Sequence, residues 1–466
     1  MLPARLARYL DADSPVRALA QRLQDRGFEA YIVGGSVRDA LLDRPSDDVD
    51  FTTNARPEAI KEAVNGWADA VWLQGEAFGT VGCEKAGVKM EITTFRAEVY
   101  RSDSRKPVVE YSDDITTDLS RRDFTINAMA LALPEPMLVD PFGGAADLAS
   151  GVLRTPLSPD ISFEDDPLRM LRAARFIAAF GVTPVEELTQ AVERLRGRLE
   201  IVSAERIRDE LSKLLVADDP SPGLWFLART GLSDEFLPEL NNMRLEQDPV
   251  HRHKDVLTHT IAVVAKTRPE LVVRLAALMH DVGKPKTRAY GPNGVQFHHH
   301  EVVGARMCEQ RLRALRYSNE IVDDVTKLVY LHLRIHTYAM GWTDSAVRRY
   351  VRDAGPLLDQ LNHLQRCDCT TRSKARAQAL DDRMNELESR IAELREQEEL
   401  DKLRPPIDGR AVIAFLGVTP GPVVGEALEF LLEARIEEGP IEPDDAYNRL
   451  DAWARARGIV PTGTRS

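Results

Sequence analysis

Histidine is absent from the first 250 residues and again after His363, so all ten histidines fall between His251 and His363. Cysteine is scarce: Cys83, Cys308, Cys367 and Cys369 are the four in 466 residues. Only the last two are close together, and Cys367-Asp368-Cys369 lacks the paired C-x-x-C spacing of a zinc site, so reduced intracellular thiols are expected. No apolar run approaches the length of a membrane span. The N-terminal stretch MLPARLARYLDADSP has neither the apolar core nor the cleavage site of a secretion signal. A cytoplasmic protein without a membrane partner is expected. Excess positive charge is also missing. A net charge of −13 and a pI near 5.4 exclude a general basic coat for nucleic acid, so any RNA contact must come from local patches. Internal repeats and low-complexity tracts are not visible. The length suggests roughly three domains, with helices dominating.

What is present is organised around Tyr31 to Thr52, YIVGGSVRDALLDRPSDDVDFT. A short apolar run, Tyr31-Ile32-Val33, enters Gly34-Gly35. A helical segment opens at Ser36-Val37-Arg38-Asp39, and a return strand carries Asp48-Val49-Asp50. Side chains alternate along a strand, which puts Asp48 and Asp50 on one face. Two carboxylates that close repel each other unless a divalent cation sits between them. Glycine lets backbone approach phosphate oxygens, and the first amides of a helix can donate to them. Taken singly, Gly-Gly is often a plain turn and Asp-x-Asp a surface feature. Together they put phosphate and metal at one spot.

Around this stretch, a helix is expected from Ser14 to Arg26, and another in RPEAIKEAVNGW with Pro57 and Glu58 in its first turn. Residues 70–96 alternate as hairpin strands with turns near Gly75 and Ala86-Gly87, giving a mixed sheet flanked by helices. Glu91, between Met90 and Ile92, is a candidate third acidic group or an exposed strand residue. The polar stretch Arg96 to Tyr111 reads as a flexible flap rather than core. Asp118-Leu119-Ser120-Arg121-Arg122-Asp123-Phe124-Thr125-Ile126-Asn127 forms a doubly basic turn entering an apolar helix, MALAL. Its arginines could reach back to a triphosphate, with Asn127 capping or bonding inside the site.

GGSVRD followed by DVD, Phe78-Gly79-Thr80, ITTFR and RRDFTINA resembles the class II nucleotidyltransferases of the DNA polymerase β superfamily. That group contains CCA-adding tRNA nucleotidyltransferases and bacterial poly(A) polymerases. The resemblance implies that Asp48 and Asp50, with Glu91 nearby, hold Mg²⁺. It further implies that Gly34, Gly35 and Arg38 position the triphosphate, and that Arg121, Arg122, Asp123 and Asn127 contact the nucleotide or its metals.

Beyond a turn at Asp140 to Gly144, the segment from Ser162 to Phe176 includes Asp165-Asp166-Pro167-Leu168-Arg169 and Arg172. Pro167 suits the first helical position and Asp166 the cap, which leaves Arg169 free. A carboxylate can accept from an exocyclic amino group while a guanidinium donates to a ring acceptor, a pattern shared by cytosine and adenine. The segment resembles the family's acidic-Asp-x-x-Arg base-reading motif, with Asp165 where Glu is more usual. Nucleotide contacts at Asp165, Asp166, Arg169 and Arg172 are therefore implied. Ala204 to Leu211 resembles a family neck motif and reads as structural.

Within the histidine-rich span, DVLTHTIAVV and LAALMHDVGKPKTR read as helices, the second ended by Gly283 and Pro285. His259 and His280-Asp281 are the residue types that bind a divalent metal through nitrogen and oxygen. An apolar helix ending in His-Asp-x-Gly-Lys resembles the HD phosphohydrolase superfamily. On that resemblance His259, His280 and Asp281 are ligands, and Asp368 is the choice for the fourth, with Asp344 as runner-up. His300 and His332 sit where some members supply further metal or phosphate contacts. The ion would be a transition metal or Mg²⁺, activating water against a phosphoester. In HD-bearing tRNA nucleotidyltransferases the implied substrates are 2′,3′-cyclic phosphates, 2′-nucleotides or phosphate ends of RNA. The tail, residues 371–466, carries a long charged helix with Met384, Leu387, Ile391 and Leu394 at 3-4-3 spacing, too short for a coiled coil. A Gly-rich segment from Ile407 to Gly425 resembles a tRNA-supporting motif of the same family and otherwise reads as a tight interhelical turn.

The fold class expected is α+β: a small mixed-sheet nucleotidyltransferase head (1–145), then an all-α neck (146–245), an HD domain (246–370) and a helical tail (371–466). The leading function is template-independent addition of CCA to tRNA 3′ ends from CTP and ATP. Poly(A) polymerase is the nearest rival. A hydrolytic HD protein with a degenerate RNA-binding head is a third reading, opposed by intact Asp48 and Asp50. Monomer and homodimer both remain open.

Overall fold

The computed structural model describes residues 4–44, 48–75, 79–101, 104–245, 255–291, 294–335, 342–369, 374–398 and 403–463. The chain divides into two compact units, Met1–Asn241 with Ala314–Arg316, and Asn242–Arg313 with Tyr317–Ser466. The fold is α+β: one mixed sheet in the first unit and otherwise mostly helix.

The first unit opens with helix α1 (Pro15–Gln24), where Pro15 occupies the first helical turn and Leu19 and Leu23 are buried, as expected. Strand β1 (Ala30–Val33) leads through Gly34 into α2 (Gly35–Leu41), and β2 (Asp48–Thr53) returns antiparallel to β1. Helix α3 (Pro57–Val64) precedes β3 (Ala70–Trp72), β4 (Thr80–Lys85) and β5 (Val88–Thr94). Ala86 and Gly87 both have positive φ, 51° and 78°, in the two-residue β4–β5 turn. Such a turn matches the twist of the strands it joins. Phe78 of the Phe78-Gly79-Thr80 match lies outside the described residues.

The segment expected as a flap is an antiparallel ribbon, β6 (Arg96–Arg101) and β7 (Ser104–Tyr111), which forms its own sheet. Helix α4 (Ile115–Ser120) follows. The expected MALAL helix is instead strand β8 (Ala130–Leu133), paired with β1 and with β9 (Met137–Val139). Ala130 and Leu131 are both fully buried, so no alternation shows in the sequence, and a short apolar run does not by its period separate a buried strand from a helix. The sheet order is β3-β4-β5-β2-β1-β8-β9, and only β2–β5 is parallel. Ile32, Val49, Phe51, Met90 and Ile92 turn into one core with Leu19, Leu23 and Ile60. That core fixes which face of β2 its two aspartates occupy. The remaining helices include α5 (Pro159–Asp165), α6 (Leu168–Phe180) and α7 (Ala204–Leu215).

In the second unit, α8 (Val256–Lys266) and α9 (Leu271–Met279) are the two expected helices, with His280 capping α9. They are followed by α10 (His300–Ala314), α11 (Asn319–Leu331), α12 (Asp344–Ala354) and α13 (Leu358–Asp368). The 25-residue helix α14 (Lys374–Glu398) buries Met384, Leu387, Ile391 and Leu394 against its own chain. The stripe is thus consumed by packing against α12 and α13. Helices α15 (Gly409–Leu416), α16 (Pro422–Glu438) and α17 (Pro443–Arg455) close around Phe415, Leu431, Tyr447 and Leu450. Gly417 ends α15 in the left-handed conformation, φ 68°, a helix C-cap within the interhelical turn. No helix among the described residues is long and apolar enough to cross a membrane.

Candidate functional site

The first unit contains a cleft of about 600 Å³ whose lining includes Gly34, Gly35, Asp50, Asp166 and Arg169. Eight basic side chains line it, Arg38, Arg121, Arg122, Arg169, Arg172, Arg175, Arg206 and Lys213, against three acidic ones, Asp50, Asp123 and Asp166. An acidic chain has therefore gathered a cationic pocket of a size that holds a nucleotide.

Strand β2 presents Asp48 exposed and Asp50 half-buried while Val49 and Phe51 are buried, the alternation expected of it. Ser36 Oγ accepts from the Asp50 amide at 3.0 Å and approaches the Asp48 carbonyl at 3.4 Å, tying α2 to this strand. Parallel pairing sets Glu91 beside Asp50. Burial raises the Asp50 carboxyl above its usual range; Arg122 opposes the rise, and Glu91 and Asp48 add to it. This crowding of carboxylates suits a divalent cation. Asp48, Asp50 and Glu91 do not, however, converge as closely as the two ligand groups of the second unit. Gly34, at φ +65°, stands where a Cβ would come within 2.9 Å of Arg122 Nη1. Glycine here keeps the arginine against the turn.

The arginines are held from behind. Asp118, fully buried, accepts from Arg121 Nε at 3.0 Å and Nη2 at 2.8 Å, and from Arg122 Nη2 at 3.2 Å. Burial pushes its carboxyl up, but the two guanidinium charges outweigh that and hold it low. Asp123 accepts from Asn127 Nδ2 and from Arg172 Nε, each at 2.8 Å. Burial opposes its ionisation, yet Arg172 and these hydrogen bonds hold it down to about 2. Asn127 Oδ1 accepts from Arg38, whose guanidinium also pairs with Asp39 and lies 4.4 Å from the Phe180 ring centroid. Arg38 is as much a strut from α2 to α6 as a surface for a ligand.

Helix α6 carries Arg169, Arg172, Phe176 and Phe180, spaced 3, 4 and 4 residues apart and so on one face. One expectation is corrected here. Arg169 is not free: it is buried, donates to Ser162 Oγ at 2.9 Å, and donates to the Arg121 carbonyl oxygen. Helix α5 ends against α6, which brings Ser162 within reach. Asp165, the last residue of α5, is not among the residues lining the cleft. Asp166 does line it, with Oδ1 accepting from the Leu168 amide at 3.1 Å and Oδ2 from Arg206 at 3.1 Å.

Helix α7 reads as structural in sequence, but it contributes to the cleft. Glu210 is buried and pairs with Arg175 at 3.0 Å and Arg172 at 3.5 Å, and Arg206 fixes Asp166. A signal existed: Glu210 falls on the helix stripe of Ile207, Leu211 and Leu214, and a carboxylate among buried apolar positions requires a partner.

A second centre lies within the second unit. His259 Nε2 is 2.9 Å from Asp368 Oδ1 and 3.2 Å from His280 Nε2, and His280 Nε2 is 3.2 Å from Asp281 Oδ2. The four residues expected as ligands converge. The runner-up, Asp344, is elsewhere, bonded to Arg390 at 2.6 Å. Burial would lower the His280 imidazole; Asp281 and hydrogen bonds to Asp281 and Asp368 prevail and raise it to about 10. Both carboxyls are held well below their usual range despite burial. The donor set thus favours positive charge at its centre, as a divalent metal site does. His300 and His332 lie beside Asp281, with the His332 ring 5.3 Å from that of His280, and burial together with His280 depresses His332 to about 3.

Comparison with known proteins agrees with this layout. A family model described as the poly A polymerase head domain matches residues 30–154, one described as the probable RNA and SrmB-binding site of polymerase A matches 181–244, and an HD domain matches 256–394. The chain is 35% identical over 443 residues to the A-adding tRNA nucleotidyltransferase of Deinococcus radiodurans, covering 91% of this chain and 95% of that one. It is 29% identical to the CCA-adding enzyme of Anoxybacillus flavithermus, covering 94% and 95%. The fold superposes on the Bacillus stearothermophilus CCA-adding enzyme solved in complex with CTP, at TM-score 0.69 and 25% identity, covering 95% of this chain and 97% of that one. The cationic cleft above an Asp-x-Asp strand, and relatives matched over nearly their whole length, assign the chain to the class II tRNA nucleotidyltransferase and poly(A) polymerase family of nucleotidyltransferase enzymes.

Proposed function

We propose that the protein completes tRNA 3′ ends by adding C, C and A from CTP and ATP without a nucleic-acid template. What supports this reading is one cleft lined both by Gly34, Gly35, Arg121 and Arg122 and by a hydrogen-bonded Asp166 and Arg169. Arg121 and Arg122, braced by Asp118, face a triphosphate, and Gly34 and Gly35 let its oxygens approach the backbone. Asp166 accepts from the exocyclic amino group of cytosine or adenine, and Arg169 donates to the adjacent ring acceptor. Uracil and guanine present the reverse pattern and are refused. Mg²⁺ at Asp48 and Asp50, with Glu91 beside them, supplies activation of the tRNA 3′ hydroxyl and neutralisation of pyrophosphate when bound. In this reading the head (1–145) reacts, the neck (146–245) chooses the base, and the tail (371–466) supports the tRNA. A divalent ion at His259, His280, Asp281 and Asp368 supplies water activation for phosphoester hydrolysis at RNA ends or 2′,3′-cyclic phosphates.

A second reading, addition of the terminal A alone, is favoured by the name of the Deinococcus radiodurans relative, whose identity to this chain is 35% against 29% for the CCA-adding enzyme of Anoxybacillus flavithermus. One experiment separates them. A tRNA lacking its last three residues, and one ending in CC, are each incubated with labelled CTP, ATP or both. Growth by C, C and A on the first supports the leading reading. Extension only of the CC-ended tRNA, and only by A, supports the second; long A tails from ATP alone refute both.

A further inference from the structure

Residues 282–300 contain no acidic residue, in a chain that has 74 of them, and carry Lys284, Lys286, Arg288 and three histidines. Beyond α9 this segment forms a hairpin, in which β10 (Arg288–Gly291) and β11 (Gly294–Phe297) pair antiparallel. Arg288 stands opposite Phe297 and Tyr290 opposite Val295. The root of the hairpin is fixed beside the histidine–aspartate centre. A Cβ on Gly283 would collide with the His300 carbonyl oxygen, so the chain leaving the centre runs against the chain returning to it. The Phe297 carbonyl oxygen accepts from His300 Nδ1 at 2.8 Å. Lys284 Nζ donates to Asp281 Oδ2 at 2.7 Å and stands 5.7 Å from the Phe297 ring centroid.

The strands beyond that root are open. Lys286, Arg288 and Tyr290 are all exposed, and Tyr290, at 75%, is the most exposed large apolar side chain among the described residues. Residues two apart on a strand share a face, and the Arg288 guanidinium lies 5.2 Å from the Tyr290 ring centroid. Directly opposed residues share it too, so one face runs from Tyr290 through Arg288 and Phe297 to Lys284. Cations without an acid near them in sequence, set beside an uncovered ring, fit a ligand that is both polyanionic and flat. Single-stranded nucleic acid offers phosphates to the cations and base faces to the ring. An acidic peptide or an inorganic anion would answer the cations and leave the ring unused.

We infer that this hairpin is a binding surface for single-stranded RNA, with a base stacked on Tyr290 and phosphates held by Lys286 and Arg288. The surface stands on the hairpin's own residues. The choice of RNA over DNA rests on the tRNA reading proposed above, and a strand end directed at the histidine–aspartate centre rests on the hydrolytic one.

The test uses the full chain and a fluorescent single-stranded oligoribonucleotide ending in a 3′ phosphate, which leaves no 3′ hydroxyl for nucleotide addition, with 4-thiouridine near that end. Affinity is read by fluorescence anisotropy and position by ultraviolet crosslinking with peptide mass spectrometry. A crosslink within residues 284–299 is expected, with Kd raised about tenfold by Tyr290→Ala and restored by Tyr290→Phe, which keeps the ring. Lys286→Ala/Arg288→Ala should weaken binding and lower the slope of log Kd against log salt by about 1.4. All three positions are exposed, so these variants test binding rather than folding. Crosslinks confined to the first unit, or Tyr290→Ala binding as tightly as the unaltered protein, overturn the inference. Inorganic polyphosphate displacing the RNA equally well from the unaltered protein and from Tyr290→Ala would reduce the hairpin to an anion surface and overturn it too. Phosphate release from the same RNA with Mn²⁺ is followed separately: its absence with the crosslink intact refutes the hydrolytic reading and leaves the RNA surface standing.

Discussion

Asp123 is the residue on which the cleft's architecture is most exposed to test. It joins Asn127, and through it Arg38, to Arg172, so it links α2, the basic turn and α6. Its carboxyl is held down to about 2 from an ordinary 3.8. A group whose folded pKa is depressed contributes stability in full above its unfolded pKa, and the contribution disappears as pH falls through the folded value. A shift of this size corresponds to roughly 2–3 kcal/mol at pH 7 and about half of that at pH 3. Asp123→Asn removes the charge with little change of volume. The first unit should lose roughly 2–3 kcal/mol at pH 7, and the gap to the unaltered protein should shrink by about half at pH 3. Urea denaturation at the two pH values, with hydrogen exchange of residues 115–133 to assign the loss to this unit, measures both quantities. With Arg172 and Asn127 released, kcat/KM for nucleotide addition should fall about 100-fold. A stability loss under about 1 kcal/mol, or one equal at both pH values, would show that Asp123 is not the ionised linchpin drawn here.

Other substitutions probe neighbouring parts of the site. Gly34→Ala forces a Cβ at φ +65° to within 2.9 Å of Arg122 Nη1. It should cost about 1–2 kcal/mol and lower kcat/KM about 100-fold; unchanged kinetics would mean Arg122 does not serve the triphosphate. Arg169→Ala should relax discrimination against UTP and GTP, seen as incorporation of each labelled nucleotide, and unchanged selectivity would refute the base-reading assignment. Arg206→Ala leaves Asp166 in place but unpinned, so it should relax the same discrimination to a smaller degree; an effect larger than that of Arg169→Ala would place Arg206 itself on the base. Ala86→Asn relieves a positive-φ alanine in the β4–β5 turn and should raise stability by about 0.5–1 kcal/mol in urea denaturation, with activity untouched.

Much of the head could be read because its chemistry sits on short-range patterns. Strand alternation alone put Asp48 and Asp50 on one face, and the glycine doublet marked the turn that meets them. The HD centre shows in the sequence as clustered histidine, and Asp368, not Asp344, lies with it. What escaped were consequences of chain paths that no local pattern encodes. MALAL is a strand because β1 offers it an edge, and Arg169 is locked because α5 ends beside it. Asp118, Glu210 and Arg206 matter because they lie behind or beside other side chains, not because of their neighbours in sequence.

Those hidden residues also resolve the contradiction between a chain of net charge −13 and a pocket for polyanions. Asp118 and Glu210 are nearly inaccessible, and each spends its charge on two arginines, so the carboxylate is turned inward while guanidinium groups face the cleft. The buried acids do not neutralise the pocket. They fix the arginines in place before a ligand arrives, so the ordering entropy of those long side chains is not charged against binding. Net charge counts every carboxylate alike and is silent about direction, whereas anion binding depends on which groups point into the cavity and how firmly they are held.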